Sequence, residues 1–150
     1  MRLISFLNGN RSGRGVETAA GITNPLPVAT STNLRVVTAT IASGASASSV
    51  VSLNPGERIV GIIMPAAWTT ANIVPSVSYN GTDYQYAISY GAAIQMFPTA
   101  SCTTLIDAVD ADKISRLPYV KLVSATASGS TVTAVNQAAE RVLQVVVVSQ

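Results

Sequence analysis

Arg58-Ile59-Val60-Gly61-Ile62-Ile63-Met64 is the stretch that decides the fold class of this chain. It is almost continuously apolar, rich in β-branched side chains and strand-sized. Asn54-Pro55-Gly56 precedes it and Pro65 stops it, so turn chemistry bounds it on both sides. A run of this kind suits a strand covered on both faces, or one lying in the core of a sandwich.

Strands read outward from it in both directions. Downstream, Ile73 to Tyr79 alternates, with Val77 and Tyr79 against Ser76 and Ser78. Asn80-Gly81 follows, and two residues able to take positive φ between alternating runs predict a type I′ hairpin into Thr82 to Ser89. Further strands are expected at Ile94 to Phe97, Thr103 to Ile106, Tyr119 to Ala125 and Arg141 to Val148, with a short helical turn within Ala108 to Arg116. Leu117-Pro118 marks the Tyr119 run as an edge or a strand start. Upstream, Val50 to Leu53 is short, and Ser43 to Ser49 (SGASASS) reads as a loop or a poorly specified strand. Leu34 to Ala42 alternates, with Leu34, Val36, Thr38 and Thr40 on one face. Val, Ile and Thr make up 45 of the 150 residues, which suits pleated, half-buried surfaces. Ile62 and Val146 are candidate core positions.

Eight or nine runs at about 8–12-residue spacing are the pattern of a sandwich or barrel. The turns are too irregular for a simple meander, which favours non-adjacent pairing. The expectation is an all-β chain: a β-sandwich, a jelly roll of about eight strands, over residues 34–150. Residues 8–33 are a different material, rich in Asn, Gly, Arg, Ser, Thr and Pro without sustained periodicity, and residues 1–33 read as an extended N-terminal arm.

Charged residues are only 11% of the chain and hydrophobic residues 48%. Typical soluble domains carry about 25% charge. A surface so poor in charge is either covered with small polar residues or buried against partners. The net charge is +2, unevenly spread: Arg2, Arg11, Arg14 and Arg35 face only Glu17 in residues 1–35. Without interleaved aromatics these arginines argue for a solvated or protein-docking arm and against nucleic acid. The longest apolar run at the start, Leu3 to Leu7, is shorter than the about 7–15 residues of a secretion-signal core or the about 20 of a membrane helix. The chain is therefore expected to be made in a cytoplasm, with no membrane partner.

Catalytic constellations fail one at a time. There is no histidine, which removes the commonest general base and transition-metal ligand. The single cysteine, Cys102, has no basic sequence neighbour and is expected to be a small buried hydrophobe. Gly9, Gly13 and Gly15 do not follow a strand, so they lack the context of a nucleotide loop. Asp107, Asp110 and Asp112 lack the loop glycine and closing glutamate of an EF-hand and read as a surface turn with helix-capping aspartates. No enzyme activity, cofactor or metal is expected, and a small-molecule ligand is not favoured.

The candidate functional residues are those of an interface: Arg2, Arg11 and Arg14 on the arm, and Trp68, Tyr84 and Tyr86 on the domain. Trp68 lies between two strands, where an indole can plug the core, anchor a subunit contact or stack on a sugar. Tyr84 and Tyr86 share a face if their strand is regular.

Two stretches, GERIVGIIMPAAWTTANIVPSVSYNGTDYQ (Gly56 to Gln85) and VNQAAERVLQVVVV (Val135 to Val148), resemble small β-sandwich structural proteins of tailed bacteriophages, among them capsid cement or decoration proteins. The shared elements are the strand before Met64-Pro65, Trp68, the Ser78-Tyr79-Asn80-Gly81-Thr82 segment, and Asn136 to Arg141 leading into the last strand. The resemblance implies a jelly-roll homotrimer on the outer surface of a phage head, clamping neighbouring copies of the major capsid protein. It implies a virion location after synthesis in the host bacterium. Head fibres, host-attachment domains that bind carbohydrate, and tail or head–tail joining components are of the same general kind.

Overall fold

The computed structural model describes residues 33–150. In chain order the elements are β1 (Asn33–Ile41), β2 (Val51–Ser52), β3 (Glu57–Ile63), β4 (Asn72–Ser78), β5 (Gln85–Tyr86), β6 (Ile88–Ser89) and β7 (Ala92–Ala93). They continue with β8 (Thr103–Leu105), α1 (Ala108–Ile114), β9 (Tyr119–Ser128), β10 (Thr131–Ala134) and β11 (Arg141–Ser149). The pairings are antiparallel throughout.

Two sheets enclose the core. One runs β1-β11-β3-β8; the other runs β10-β9-β4-β5, with β2 beside the start of β9. Ala39 and Ile41 of β1, Ile59 and Ile62 of β3, and Leu143, Val145 and Val147 of β11 meet Ile73 of β4 and Val120 and Leu122 of β9 in a single buried cluster. The all-β sandwich expected from the alternating runs is the fold observed. The RIVGIIM run is β3, flanked by β11 and β8, with Ile59 and Ile62 inward and a bulge at Val60-Gly61 opposite Val146/Val147. Val146, a candidate core position, faces outward and is half-buried; Val145 and Val147 on either side are the core residues. The alternation of β1 holds, but its inward face is Val37, Ala39 and Ile41, and Leu34 and Val36 point out.

The Ser43–Ser49 stretch is a loop that passes from one sheet to the other. Ser48 bridges Ile41 of β1, and Ala47 bridges Val123 of β9. Small residues suit this crossing, because backbone of both sheets approaches closely there.

Pro75 sits within β4, opposite Leu122 of β9. Its carbonyl accepts from Ala87 N–H at 2.9 Å, so the side of the strand that lacks a donor faces β5 and leaves the β9 ladder whole. The Ala87 carbonyl, which a ladder would pair with the missing N–H, accepts from Ile94 N–H at 2.9 Å instead. Proline thus ends the β4–β5 ladder after two residue pairs and turns the chain into the β6–β7 hairpin.

That hairpin corrects the turn expectation. Asn80 does not take positive φ; only Tyr90 and Ser101 do so among the non-glycine residues described. Asn80 Oδ1 instead accepts from the N–H groups of Thr82 and Asp83, both at 2.9 Å, and makes a wider side-chain-held loop. The two-residue turn with positive φ at both positions is Tyr90-Gly91, at 52° and 80°, between Ser89 and its partner Ala92. The strand expected at Ile94 to Phe97 is also absent: Met96 makes a lone bridge with Ile73, beyond the point where Pro75 stopped the ladder.

Helix α1 matches the expected turn. Asp107 caps it, accepting from Val109 N–H at 2.9 Å, and Ala111 and Ile114 are its buried face. The β9 run starts after Pro118 as expected, but it is an interior strand and extends to Ser128.

Candidate interaction surfaces

The outer face of the four-stranded sheet follows from register. Leu34 pairs with Val148, Val36 with Val146 and Thr40 with Val142 across β1 and β11. Gly61 pairs with Leu105 across β3 and β8. Cross-strand partners point to the same side, so valine and leucine side chains carry this face. Leu34 is 63% exposed, Val36 56%, Val142 43%, Ile63 38% and Leu105 79%. An antiparallel sheet with one face on the core normally turns polar residues outward. Here the outward face is largely aliphatic, with uncharged Thr38, Thr40, Gln144 and Thr103 among its valines and leucines.

The opposite outer face, on the five-stranded sheet, is built differently. Ser76 pairs with Tyr86 and with Lys121, which places the tyrosine and the lysine in one outward row. Lys121 Nζ lies 4.4 Å from the centroid of the Tyr84 ring, a cation–π contact. Tyr84, Tyr86, Gln85, Lys121, Ser46 and Val123 line a cleft of about 300 Å³. The Tyr84 hydroxyl is buried and has no hydrogen-bond partner among the described residues, and burial pushes its pKa up. Beside this cleft Tyr90 stands almost fully exposed at the hairpin tip, with Lys113 Nζ 5.0 Å from its ring centroid, and Phe97 is 70% exposed.

The sequence-predicted residues divide as follows. Tyr84 and Tyr86 are brought together at the cleft, though β5 is only two residues long and Tyr84 lies just before it. Trp68 stands apart, half-buried against the core cluster, with its indole N–H donating to the Ala71 carbonyl at 3.0 Å. Arg2, Arg11 and Arg14 lie outside the described residues, as does the arm. Cys102 is exposed, contrary to the buried position expected of it. It ends a tight turn in which its N–H donates to Thr99 O and Ser101 takes a φ of 61°, and its carbonyl, not its side chain, meets Met64. Sequence reasoning missed Tyr90, whose partner Gly91 was its one local signal, and missed Leu105, which a core-like run disguised.

Asp107, Asp110 and Asp112 are each engaged in the helix. Asp107 caps it, Asp110 lies 3.8 Å from Lys113 and Asp112 pairs with Arg116 at 2.7 Å, which holds the Asp112 carboxyl low. Among the described residues no group of three acidic or cysteine side chains could hold a metal ion. Among them, too, no helix is long and apolar enough to cross a membrane. No protein-family model matches the chain, and neither the curated proteins nor the solved structures contain a significant match to it.

Proposed function

We propose that this protein is a structural virion component, a cement or decoration protein that binds the outside of a phage head and clamps neighbouring major capsid subunits. The observation that carries the reading is the pair of outer sheet faces, one aliphatic and one aromatic with lysine, on opposite sides of a small sandwich. A body with adhesive side chains on two opposed faces can join two surfaces at once. Charged groups are depleted at interface cores while tyrosine is enriched there, which fits the 11% charge of the chain. The resemblance of Gly56–Gln85 and Val135–Val148 to phage structural proteins supplies the lattice, and the implied homotrimer matches the local three-fold axes of a shell.

The test is decoration of purified empty phage shells by the full chain. Binding at a fixed ratio to the shell subunit, weakened by Tyr86→Ala with Tyr90→Ala, is the expected result. No sedimentation with shells at any concentration would remove the reading. Deleting residues 1–33 separately tests the arm as part of the clamp.

A second reading, a carbohydrate-binding host-attachment domain, is favoured by one feature. The cleft presents two tyrosine rings and a buried hydroxyl without a partner among the described residues, the kind of group that a sugar hydroxyl satisfies. A glycan array on the full chain separates the two, since Tyr84→Phe should abolish a genuine sugar signal and leave shell decoration unchanged. A head–tail or tail component would assemble with a symmetry other than three, which native mass spectrometry reads directly.

A further inference from the structure

We infer that the aliphatic outer face of the β1-β11-β3-β8 sheet is the surface through which copies of this chain bind one another, while the tyrosine–lysine face is left for the other partner. The inference rests on the homo-oligomer reading above and adds to it which side of the molecule is used.

The first argument is charge. Among the outward positions of the four strands, the one charged side chain is Arg58 at one end, and Gln150 already accepts from it. A surface of this kind has nothing with which to recognise an acidic, basic or phosphate-bearing partner. It fits another uncharged aliphatic surface, and the chain itself supplies one. The opposite face carries Lys121 against the Tyr84 ring and suits a partner of different chemistry.

The second argument is area. Four strands about 4.8 Å apart span roughly 15 Å across, and the two nine-residue strands run about 27 Å at about 3.4 Å per residue, while β3 and β8 are shorter at seven and three residues. The accessible surface of such a pleated face is several hundred Å², on the scale of the about 800 Å² per partner of a standard stable interface.

The third argument is where the exposure concentrates. Leu34 and Val36 stand on the β1 margin, and Leu105 and Ile63 on the β8 side. The two margins differ, one strand being nine residues long and the other three. A contact that sets the β1 margin of one copy against the β8 margin of the next is heterologous, and it gives a trimer ring where the rotation between copies is one third of a turn.

The test is native mass spectrometry of the full chain and of the double variant Val36→Lys with Leu105→Lys. Both side chains are exposed, so the core is untouched. The expected result is a trimer for the natural sequence and a single-copy mass for the variant, with a circular dichroism spectrum unchanged; Tyr90→Lys should remain trimeric. A double variant that keeps the natural mass would overturn the assignment of this face while leaving self-association standing. A natural chain that is a monomer at its highest soluble concentration would remove the homo-oligomer reading itself. Should the variant not fold, hydrogen exchange on the natural chain decides. Amides of β1 and β8 that slow on concentration support the face, and amides equally protected at all dilutions show it covered from within one chain and overturn it.

Discussion

The side chain of Gln137 and the backbone of Thr69, 68 positions apart, exchange two hydrogen bonds: Thr69 N–H donates to Oε1 at 2.9 Å, and Nε2 donates to the Thr69 carbonyl at 3.1 Å. Gln137 has no exposed surface. Its second amide hydrogen goes to Ser124 Oγ at 2.7 Å, and Arg141 Nε donates to the same Oε1 at 3.2 Å. Its backbone N–H and carbonyl bond Ala45 and Gly44. One residue therefore ties four segments together: its carboxamide joins the Trp68 segment, β9 and the start of β11, and its backbone joins the Ser43–Ser49 crossing, with every donor and acceptor used.

Gln137→Ala should destabilise the fold by about 2–4 kcal/mol, since it opens a cavity at a fully buried site and leaves the part-buried N–H and carbonyl of Thr69 and the buried Ser124 hydroxyl without this partner. Gln137→Met, close in volume, should cost nearly as much. Chemical denaturation measures both. A loss under about 0.5 kcal/mol for either variant would mean that water reaches the site and replaces the amide.

Adjacent residues on β3 should respond in opposite ways. Ile62 is fully buried and Ile63 is 38% exposed on the outward face. Ile62→Ala should cost about 2–5 kcal/mol. Ile63→Ala, measured on dilute monomer, should cost under about 1 kcal/mol. The same contrast is expected between Val145 and Val146 on β11.

Arg35 grips Glu57 with two bonds of 2.6 and 2.7 Å, and Asn54 N–H adds a third to the same carboxylate at 2.6 Å. The guanidinium, ahead of the backbone N–H, holds the Glu57 carboxyl down at about 2. An unfolded glutamate titrates near about 4.3. The folded state thus favours the ionised form, so this contribution is complete above about pH 4.3 and is lost as the pH falls towards about 2. The thermal midpoint of the natural chain should drop across that window, and Glu57→Gln should flatten the drop. Asp112, held low by exposed Arg116, adds a weaker slope of the same sign that salt should screen. An acid profile identical in the Glu57→Gln variant would show that the pair does not couple to folding.

Tyr90 takes a φ of 52° beside Gly91 while its side chain is almost wholly in solvent. A left-handed conformation costs a tyrosine about 1 kcal/mol and an asparagine less. Tyr90→Asn should leave stability unchanged or raise it by up to about 1 kcal/mol, while weakening shell binding. Denaturation and sedimentation with shells are the two readouts. Unchanged shell binding would show that the strained aromatic is not retained for adhesion.

Much of the fold was legible because β-branched alternation and proline stops are local. Asp107 before the Ala108 helix and Pro118 before β9 act within a few residues of the boundaries they set. The turn was misread for a reason just as local. Asn80 carries a side chain that can bond its own following backbone, and that competes with the left-handed conformation that the Asn-Gly pair suggests. Of the candidate site, Tyr84 and Tyr86 were readable from their spacing, but Lys121 reaches the Tyr84 ring only through the pairing of distant strands, and Lys113 reaches Tyr90 only from the helix.

By itself, the sequence determined that the chain is all-β, where most of its strands lie, and which residues of a strand share a side, since pleating alternates side chains whatever lies around them. Only the tertiary structure decided which of the two sides is inward. On β1 both sides are apolar, and the sheet buries Val37, Ala39 and Ile41 because those are the side chains that meet β9 and β4, leaving Leu34 and Val36 in solvent. Burial depends on what packs opposite, and that is a property of contacts between segments far apart in the chain.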